Sequence, residues 1–428
     1  MLVNSGESFN KISRDELNQL QLVRLQQTVR KTYDNTKYFA KKCKNSGVHP
    51  ADLKSISDLK YFPLTTKEDF RTNYPFDMFA VPLKKLHRIH ASSGTTGKST
   101  IVGYTKRDLA IWSHLTSRSL QVGGAKKGDR IQISYGYGLF TGGFGTHDGA
   151  HHLGCTVIPI SSGQTEKQVQ ILLDLKPNLI AATPSYLLTL ADEIDKQNID
   201  VSKDIALRLA FVGAEPWTEQ MRDEINNRLN LQALNYYGIS EIMGPGVASE
   251  YLDNLDGPTI WEDHFFPEII NPSTGEVLPD GCFGELVITS LTKEALPLVR
   301  YRTKDLTKLL PGTLKTMRRL ERFKGRSDDM LIIRGVNVFP SQIEEEILKI
   351  PELSAQYQIH VSKQSNLDAL EVLVEPRVKQ SSHKLSAVKE TLEANIKNWT
   401  GVRVNVSIVA PQSIERSIGK ALRVLDLR

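Results

Sequence analysis

Apolar and polar positions change period several times along the chain, and each change marks an element. Ser13 and Glu16 stand three apart as a capping box, and Leu22, Leu25, Val29 and Tyr33 then recur at helical spacing, so the chain opens with an amphipathic helix. Further on, short apolar runs alternate with helical patterns: Ile131 to Ser134, Thr156 to Ile160, Leu179 to Ala182, Leu207 to Val212 and Ala233 to Tyr237. Strands separated by helices predict a mixed or parallel α/β sheet. The stretch from Phe283 to Leu310, with GELVITS and PLVRYRTKDLTKLL, has few helix signals and predicts a small β subdomain.

After Gly325 the pattern changes again. Pro340 opens a helix carrying Ile343 and Ile347, and strands follow at Tyr357 to Val361 and Ala369 to Val374. A helix with Leu385, Val388, Leu392 and Ile396 comes next, then the alternation Val402, Val404, Val406 and Ile408. That is an α+β unit of its own, joined through the charged, glycine-flanked GRSDD at Gly325 to Asp329. The expected fold class is α/β: a large, multi-layer N-terminal domain with mixed sheets and a β subdomain, plus a small mobile α+β C-terminal domain. The boundaries are 1–326, with a mainly helical region 1–80 and a core 81–326, then 327–428.

Ser92 to Lys98 read SSGTTGK between two strand-like runs, Leu86 to Ala91 and Thr100 to Thr105. Glycines let backbone wrap an anion, hydroxyls donate to phosphate oxygens, and Lys98 adds positive charge. A Walker A loop would need glycine at Ser92 and a helix directly after the loop, so a hairpin fits better. A flexible surface turn accounts for the glycines but not for the hydroxyls and lysine around them.

Composition narrows the class. At 428 residues the chain suits two or three domains, and 40% hydrophobic with 24% charged residues excludes a disordered or fibrous protein. No segment has the length of a membrane span, and MLVNSGESFN lacks the apolar stretch of a signal peptide, so a cytoplasmic protein without membrane attachment is expected. Cys43, Cys155 and Cys282 are odd in number and widely spaced, which suits a reducing compartment and packing roles. A formal charge of +5 with scattered basic residues suits anionic small substrates and not a nucleic-acid surface. His147 and His151 lie one helical turn apart without a third ligand in view, so helix packing is expected there and not zinc.

Six elements occur in a fixed order: SSGTTGK, GAEP (Gly213 to Pro216), YYGISE (Tyr236 to Glu241), YRTKD ending at Asp305, GRSDD, and SIGK ending at Lys420. Together they resemble the acyl-adenylate-forming superfamily of acyl-CoA synthetases and adenylation domains. YGYGLFTGG (Tyr135 to Gly143), GAEPWTE, SEIMGPGVASE (Ser240 to Glu250) and RSDDMLIIRGVNVFPSQIEE (Arg326 to Glu345) are similar to the phenylacetate-CoA ligase branch. Ser99 stands where that branch usually has proline, and Tyr251 follows ASE without a cysteine cluster, so no structural zinc is expected.

The resemblance implies that ATP with Mg2+ and an aryl acid give an acyl-adenylate and pyrophosphate, after which coenzyme A displaces AMP. Phenylacetate is the implied acid, with benzoate, hydroxyphenylacetate or indoleacetate as alternatives, and an ATP-binding module without turnover as a more distant one. It assigns Lys420 to bridge the carboxylate and α-phosphate, although a lone lysine near a C-terminus otherwise reads as a solvated group. Ser92, Ser93, Gly94, Thr95, Thr96, Gly97 and Lys98 would hold phosphates. Glu241 would associate with magnesium, or equally be a helix N-terminal charge. Gly213, Ala214, Glu215 and Pro216 would flank adenine, together with Gly238 and Ser240 of YYGISE, while Tyr236 or Tyr237 stacks on it. Asp305 and Arg326 would hold the ribose.

Asp328 would be the hinge, with Arg334 and Gly335 on the coenzyme A side. Tyr135, Tyr137, Gly138, Phe140, Gly142, Gly143, Gly244 and Pro245 would line the acyl pocket, aromatics interleaved with glycines. Those positions read equally as a glycine-rich turn packed for its own sake. The implied partners are small molecules, with a homodimer paired through the N-terminal region.

Overall fold

The computed structural model describes residues 12–92, 99–313, 316–323, 325–334, 336–364, 367–378, 380–416 and 421–428. Ser93, Gly94, Thr95, Thr96, Gly97, Lys98, Gly335 and Lys420 lie outside the described residues.

The first helix spans Arg14–Asn35, and its capping box is formed, with Glu16 Oε2 accepting from the Ser13 amide at 2.9 Å. Its buried stripe is rotated from the apolar one: Leu17, Gln21, Leu25, Thr28, Val29 and Thr32 face inward, while Leu22 and Tyr33 are half-buried. Buried polar groups carry this shift. Gln21 Nε2 donates to the Glu262 carbonyl at 2.9 Å and Thr28 Oγ1 to the Leu291 carbonyl at 3.2 Å, so burial leaves neither side chain unsatisfied.

The central sheet has a parallel half ordered Thr156–Ile158, Arg130–Ile133, Leu179–Ala182, Leu209–Val212 and Gln232–Ile239. Leu179–Ala182 and Leu209–Val212 are apolar and fully buried, as strands covered on both faces must be. Gly244–Tyr251 and Asn254–Ile260 extend the sheet antiparallel. The predicted β subdomain is a five-stranded antiparallel sheet in which Gly284–Ser290 and Tyr301–Thr307 are neighbours and Gly325–Arg326 is the edge. Leu86–Ser92 and Thr100–Thr105 pair antiparallel, with Ser92 opposite Thr100, so the phosphate-type sequence falls between two paired strands, as a hairpin requires.

Beyond the edge strand Gly325–Arg326, the chain builds a separate core around Ile343, Ile347, Tyr357, Val372, Leu392 and Val406. Its four-stranded sheet includes Asn405–Ile408, which starts later than the alternation from Val402 predicts. Gly401 ends the preceding helix in a left-handed conformation, and residues 402–404 are needed to bring the chain back to the sheet. Cys43 and Cys155 are buried, whereas Cys282 is exposed in a turn whose amide bonds the Pro279 carbonyl, correcting its expected packing role. Among the described residues no helix is long and apolar enough to cross a membrane.

Candidate active site

Open parallel sheets leave a crevice beyond the carboxyl ends of their strands, and the candidate residues gather there. Gly213 to Pro216 follow Leu209–Val212, Tyr135 follows Arg130–Ile133, and Tyr236 to Gly238 end Gln232–Ile239. Two adjoining cavities share Ala214, Tyr236, Gly238, Ile239 and Arg326 as walls. The first, about 110 Å3, adds Gly213, Glu215, Pro216, Tyr237, Asp305 and Phe323. The second, about 260 Å3, adds Ser92, Tyr135, Phe140, Gly142, Ser240, Glu241, Gly244, Pro245 and Asp328.

Close backbone approach shapes the first cavity. A Cβ on Gly213 would stand 2.1 Å from the Tyr236 carbonyl oxygen, so only glycine lets these two strand ends meet. Ala214 adopts φ +75°, a left-handed conformation that costs a residue with a side chain. Glu215 Oε1 accepts from the Ser185 amide at 2.8 Å, in the first turn of helix Pro184–Lys196, and its Oε2 accepts from the Ala421 amide at 2.9 Å. The small domain's tail therefore reaches the cavity wall.

The two tyrosines divide their roles. Tyr236 is buried edge-on against Phe211 at 6.2 Å, whereas Tyr237 stacks on Phe323 at 4.6 Å with 24° between the planes. Tyr237 Oη donates to Asp305 Oδ2 at 2.6 Å; burial and the adjacent carboxylate both hold the phenol well above its ordinary pKa. Asp305 and Arg326 are directly opposite in adjacent strands, with NH1 3.6 Å from Oδ1. Arg326 also grips Asp328 through Nε at 2.8 Å and NH2 at 3.0 Å.

In the second cavity Ser92 Oγ lies 3.4 Å from Glu241 Oε1, and the hydroxyls of Thr141 and Ser240 meet at 2.8 Å. Glu241 is buried in the turn between two strands, which overturns its alternative reading as a helix N-terminal charge. That turn is held from beneath by Tyr104 Oη, which donates to the Met243 carbonyl at 2.8 Å. Gly244, at φ +107°, packs against Trp112, whose ring stacks on Tyr104 at 4.8 Å. The buried Lys293 ammonium sits 4.1 Å from the centre of the Tyr104 ring, and among the described residues it has no hydrogen-bond partner.

Not every expected residue faces the cavities. Tyr137, Gly138 and Gly143 lie outside both walls. Tyr137 Oη instead pairs with His147 Nδ1 at 3.1 Å, and a Cβ on Gly143 would stand 2.7 Å from the Gly136 carbonyl, so these positions serve the packing of helix Thr141–Leu153. Arg334 is exposed at φ +53° with Nε donating to the Asp368 carbonyl at 2.9 Å, away from both walls. Lys67, Tyr301 and Asp329 line the second cavity, and Trp217, Asn235, Arg322 and Phe323 the first, without having been read from the sequence. Trp217 follows GAEP, Tyr301 opens YRTKD and Asp329 closes GRSDD, so these three had a local signal, whereas Lys67, Arg322 and Phe323 lie in no motif and reach the walls only through packing.

The profile described as AMP-binding enzyme matches residues 28–292, and the one described as AMP-binding enzyme C-terminal domain matches 335–428. The phenylacetate-coenzyme A ligase of Escherichia coli (strain K12) is 55% identical over 100% of this chain and 99% of its own. Among solved structures, 2-hydroxyisobutyryl-CoA ligase in the postadenylation state with 2-HIB-AMP superposes with TM-score 0.93 at 25% identity, covering 100% of this chain and 94% of that one. The same ligase with 2-HIB-AMP and CoA in the thioesterification state gives TM-score 0.74 at 26% identity, covering 99% and 94%.

Proposed function

This chain belongs to the AMP-binding enzyme family, and from that premise we propose that it ligates phenylacetate to coenzyme A in an ATP-dependent, AMP-forming reaction through phenylacetyl-adenylate. The observation that carries the reading is the bond from Ala421 to Glu215, because it puts the residue after Lys420 against the wall where a nucleotide would lie.

The chemical demand is to bring one carboxylate oxygen in line with the α-phosphorus while both are negative, so orientation and fixed positive charge must lower the barrier. Tyr237 and Phe323 offer an aromatic wall for the purine, and Asp305 offers an acceptor for the ribose hydroxyls. Lys420 bridges the reacting carboxylate and phosphate. Ser92 and the hydroxyl-rich segment after it hold the outer phosphates, and Lys67 adds a cation to the same cavity.

Glu241, with the Ser92, Thr141 and Ser240 hydroxyls on one wall, is the hard-oxygen set a magnesium ion prefers. Magnesium bound with the triphosphate would neutralise the departing pyrophosphate. Tyr135, Phe140, Gly142, Gly244 and Pro245 give the acid a compartment with aromatic faces and glycine gaps, with Ile239 on the same wall, which suits a flat ring. The thiol of coenzyme A then attacks the acyl carbon and AMP leaves. Turning about Asp328 to admit the thiol, with Arg334 and Gly335 on the approach side, completes the proposed cycle.

The test is a panel of phenylacetate, benzoate, hydroxyphenylacetate, indoleacetate and hexanoate with ATP, magnesium and coenzyme A, with products identified by mass spectrometry. Phenylacetate is expected to give the highest kcat/KM, with AMP and pyrophosphate formed one for one with the thioester. Formation of ADP, or phenylacetate no better than benzoate or hexanoate, would reject the proposal.

A further inference from the structure

The two domains meet through a charged face away from the cavities. On the large domain, Arg228 of helix Glu219–Leu229 is surrounded by Asp192 at 2.9 Å, Asp195 at 2.5 Å and Glu224 at 3.7 Å, so three carboxylates share one cation. The small domain presents two arginines to this face. Arg377 NH1 and NH2 donate to the two oxygens of Glu224 at 2.5 and 2.6 Å, a bidentate pair. Arg416 Nε stands 4.0 Å from Asp192 while its other nitrogens hold Glu375 at 2.9 and 2.7 Å.

Arg377 is held ready on its own side. Its Nε donates to the Pro351 carbonyl at 3.0 Å and its backbone amide to the Glu352 carbonyl at 2.9 Å, so little side-chain freedom remains to be lost when Glu224 is engaged. Beside this pair, Ala355 of the small domain is buried in the large-domain cluster that contains Met221 and Ile225. The contact is therefore a small apolar patch flanked by a rigid, two-pronged ion pair.

The orientation it holds has a specific meaning. The chain superposes more closely on a ligase in the postadenylation state, at TM-score 0.93, than on the same ligase in the thioesterification state, at 0.74, and here Ala421, next to Lys420, touches the cavity wall. We infer that Glu224 and Arg377 are positioning residues for the first half-reaction: their pairing holds the small domain where Lys420 reaches the nucleotide, and it must part before the thiol can react. This rests on the two-step ligation proposed above.

The experiment measures each half-reaction separately in the full chain: phenylacetate-dependent exchange between ATP and pyrophosphate, and thioester formation from supplied phenylacetyl-adenylate and coenzyme A. Glu224→Gln and Arg377→Gln are each expected to slow exchange about fivefold while thioester formation stays level or rises. The double variant should be no slower than either single one, because one interaction is lost in all three. Raising salt should shift the wild-type ratio in the same direction, since the pair is partly exposed. Equal losses in both half-reactions, unchanged exchange, or additive effects in the double variant would overturn the inference. A wild-type protein that makes no phenylacetyl-adenylate would instead reject the ligation reading itself.

Discussion

Glu215 accepts the Ala421 amide at 2.9 Å through one oxygen and the Ser185 amide at 2.8 Å through the other. A single carboxylate thus joins the small domain's tail, the start of a large-domain helix and the wall of the smaller cavity. Hydrogen bonds to a charged acceptor contribute about 1.5–3 kcal/mol each. Replacing Glu215 by alanine should lower adenylate formation about tenfold or more and leave thioester formation from supplied adenylate nearly unchanged. Stopped-time assays of the two steps check this.

Asp305 and Tyr237 are bonded at 2.6 Å although they belong to different sheets. Asp305→Asn removes the charged acceptor assigned to the ribose and is expected to raise the KM for ATP by about 10- to 100-fold. Tyr237→Phe keeps the stacking ring and should raise it by only about three- to tenfold. Steady-state titration of ATP at saturating phenylacetate and coenzyme A measures both.

Gly213 admits no side chain, because a Cβ there would approach the Tyr236 carbonyl oxygen to 2.1 Å. Backbone cannot yield as a flexible side chain does, so Gly213→Ala should cost about 1–3 kcal/mol of stability. Urea unfolding is the measurement, and KM for ATP should rise as well, since the same segment lines the cavity.

Burial pushes the Lys293 ammonium down to about 8, although Asp108 and Glu241 act to raise it. In the unfolded chain the group titrates near its ordinary 10.5, so between about 8 and 10.5 the unfolded state holds more of this proton. Stability from this site therefore grows as pH rises through that window and is lowest below it. The full interval corresponds to about 3 kcal/mol. Lys293→Met should be more stable than wild type at pH 7, with the gap closing as pH approaches 10, as read by urea unfolding at both values.

How far the sequence could be read depended on whether a feature was local. The hairpin around Ser92, the capping box at Ser13 and the β-rich Gly284–Ser290 and Tyr301–Thr307 follow from neighbouring residues, and the structure has them. The inward face of the first helix does not follow, because Gln21, Thr28 and Thr32 are polar, and buried Gln21 and Thr28 satisfy partners more than 200 residues away. The stack of Phe323 on Tyr237 and the cavity position of Lys67 likewise depend on packing between distant segments. Tyr137 illustrates the converse: its motif suggested a pocket residue, but a hydrogen bond to His147 turns it toward the helix behind.

Replacing Lys420 by alanine decides whether the lysine next to the Glu215-bound Ala421 amide completes adenylation. Phenylacetyl-adenylate formation should fall by at least about 100-fold, while phenylacetyl-CoA still forms from supplied phenylacetyl-adenylate and coenzyme A at near the wild-type rate. Equal loss of both steps, or undiminished adenylate formation, would contradict that role.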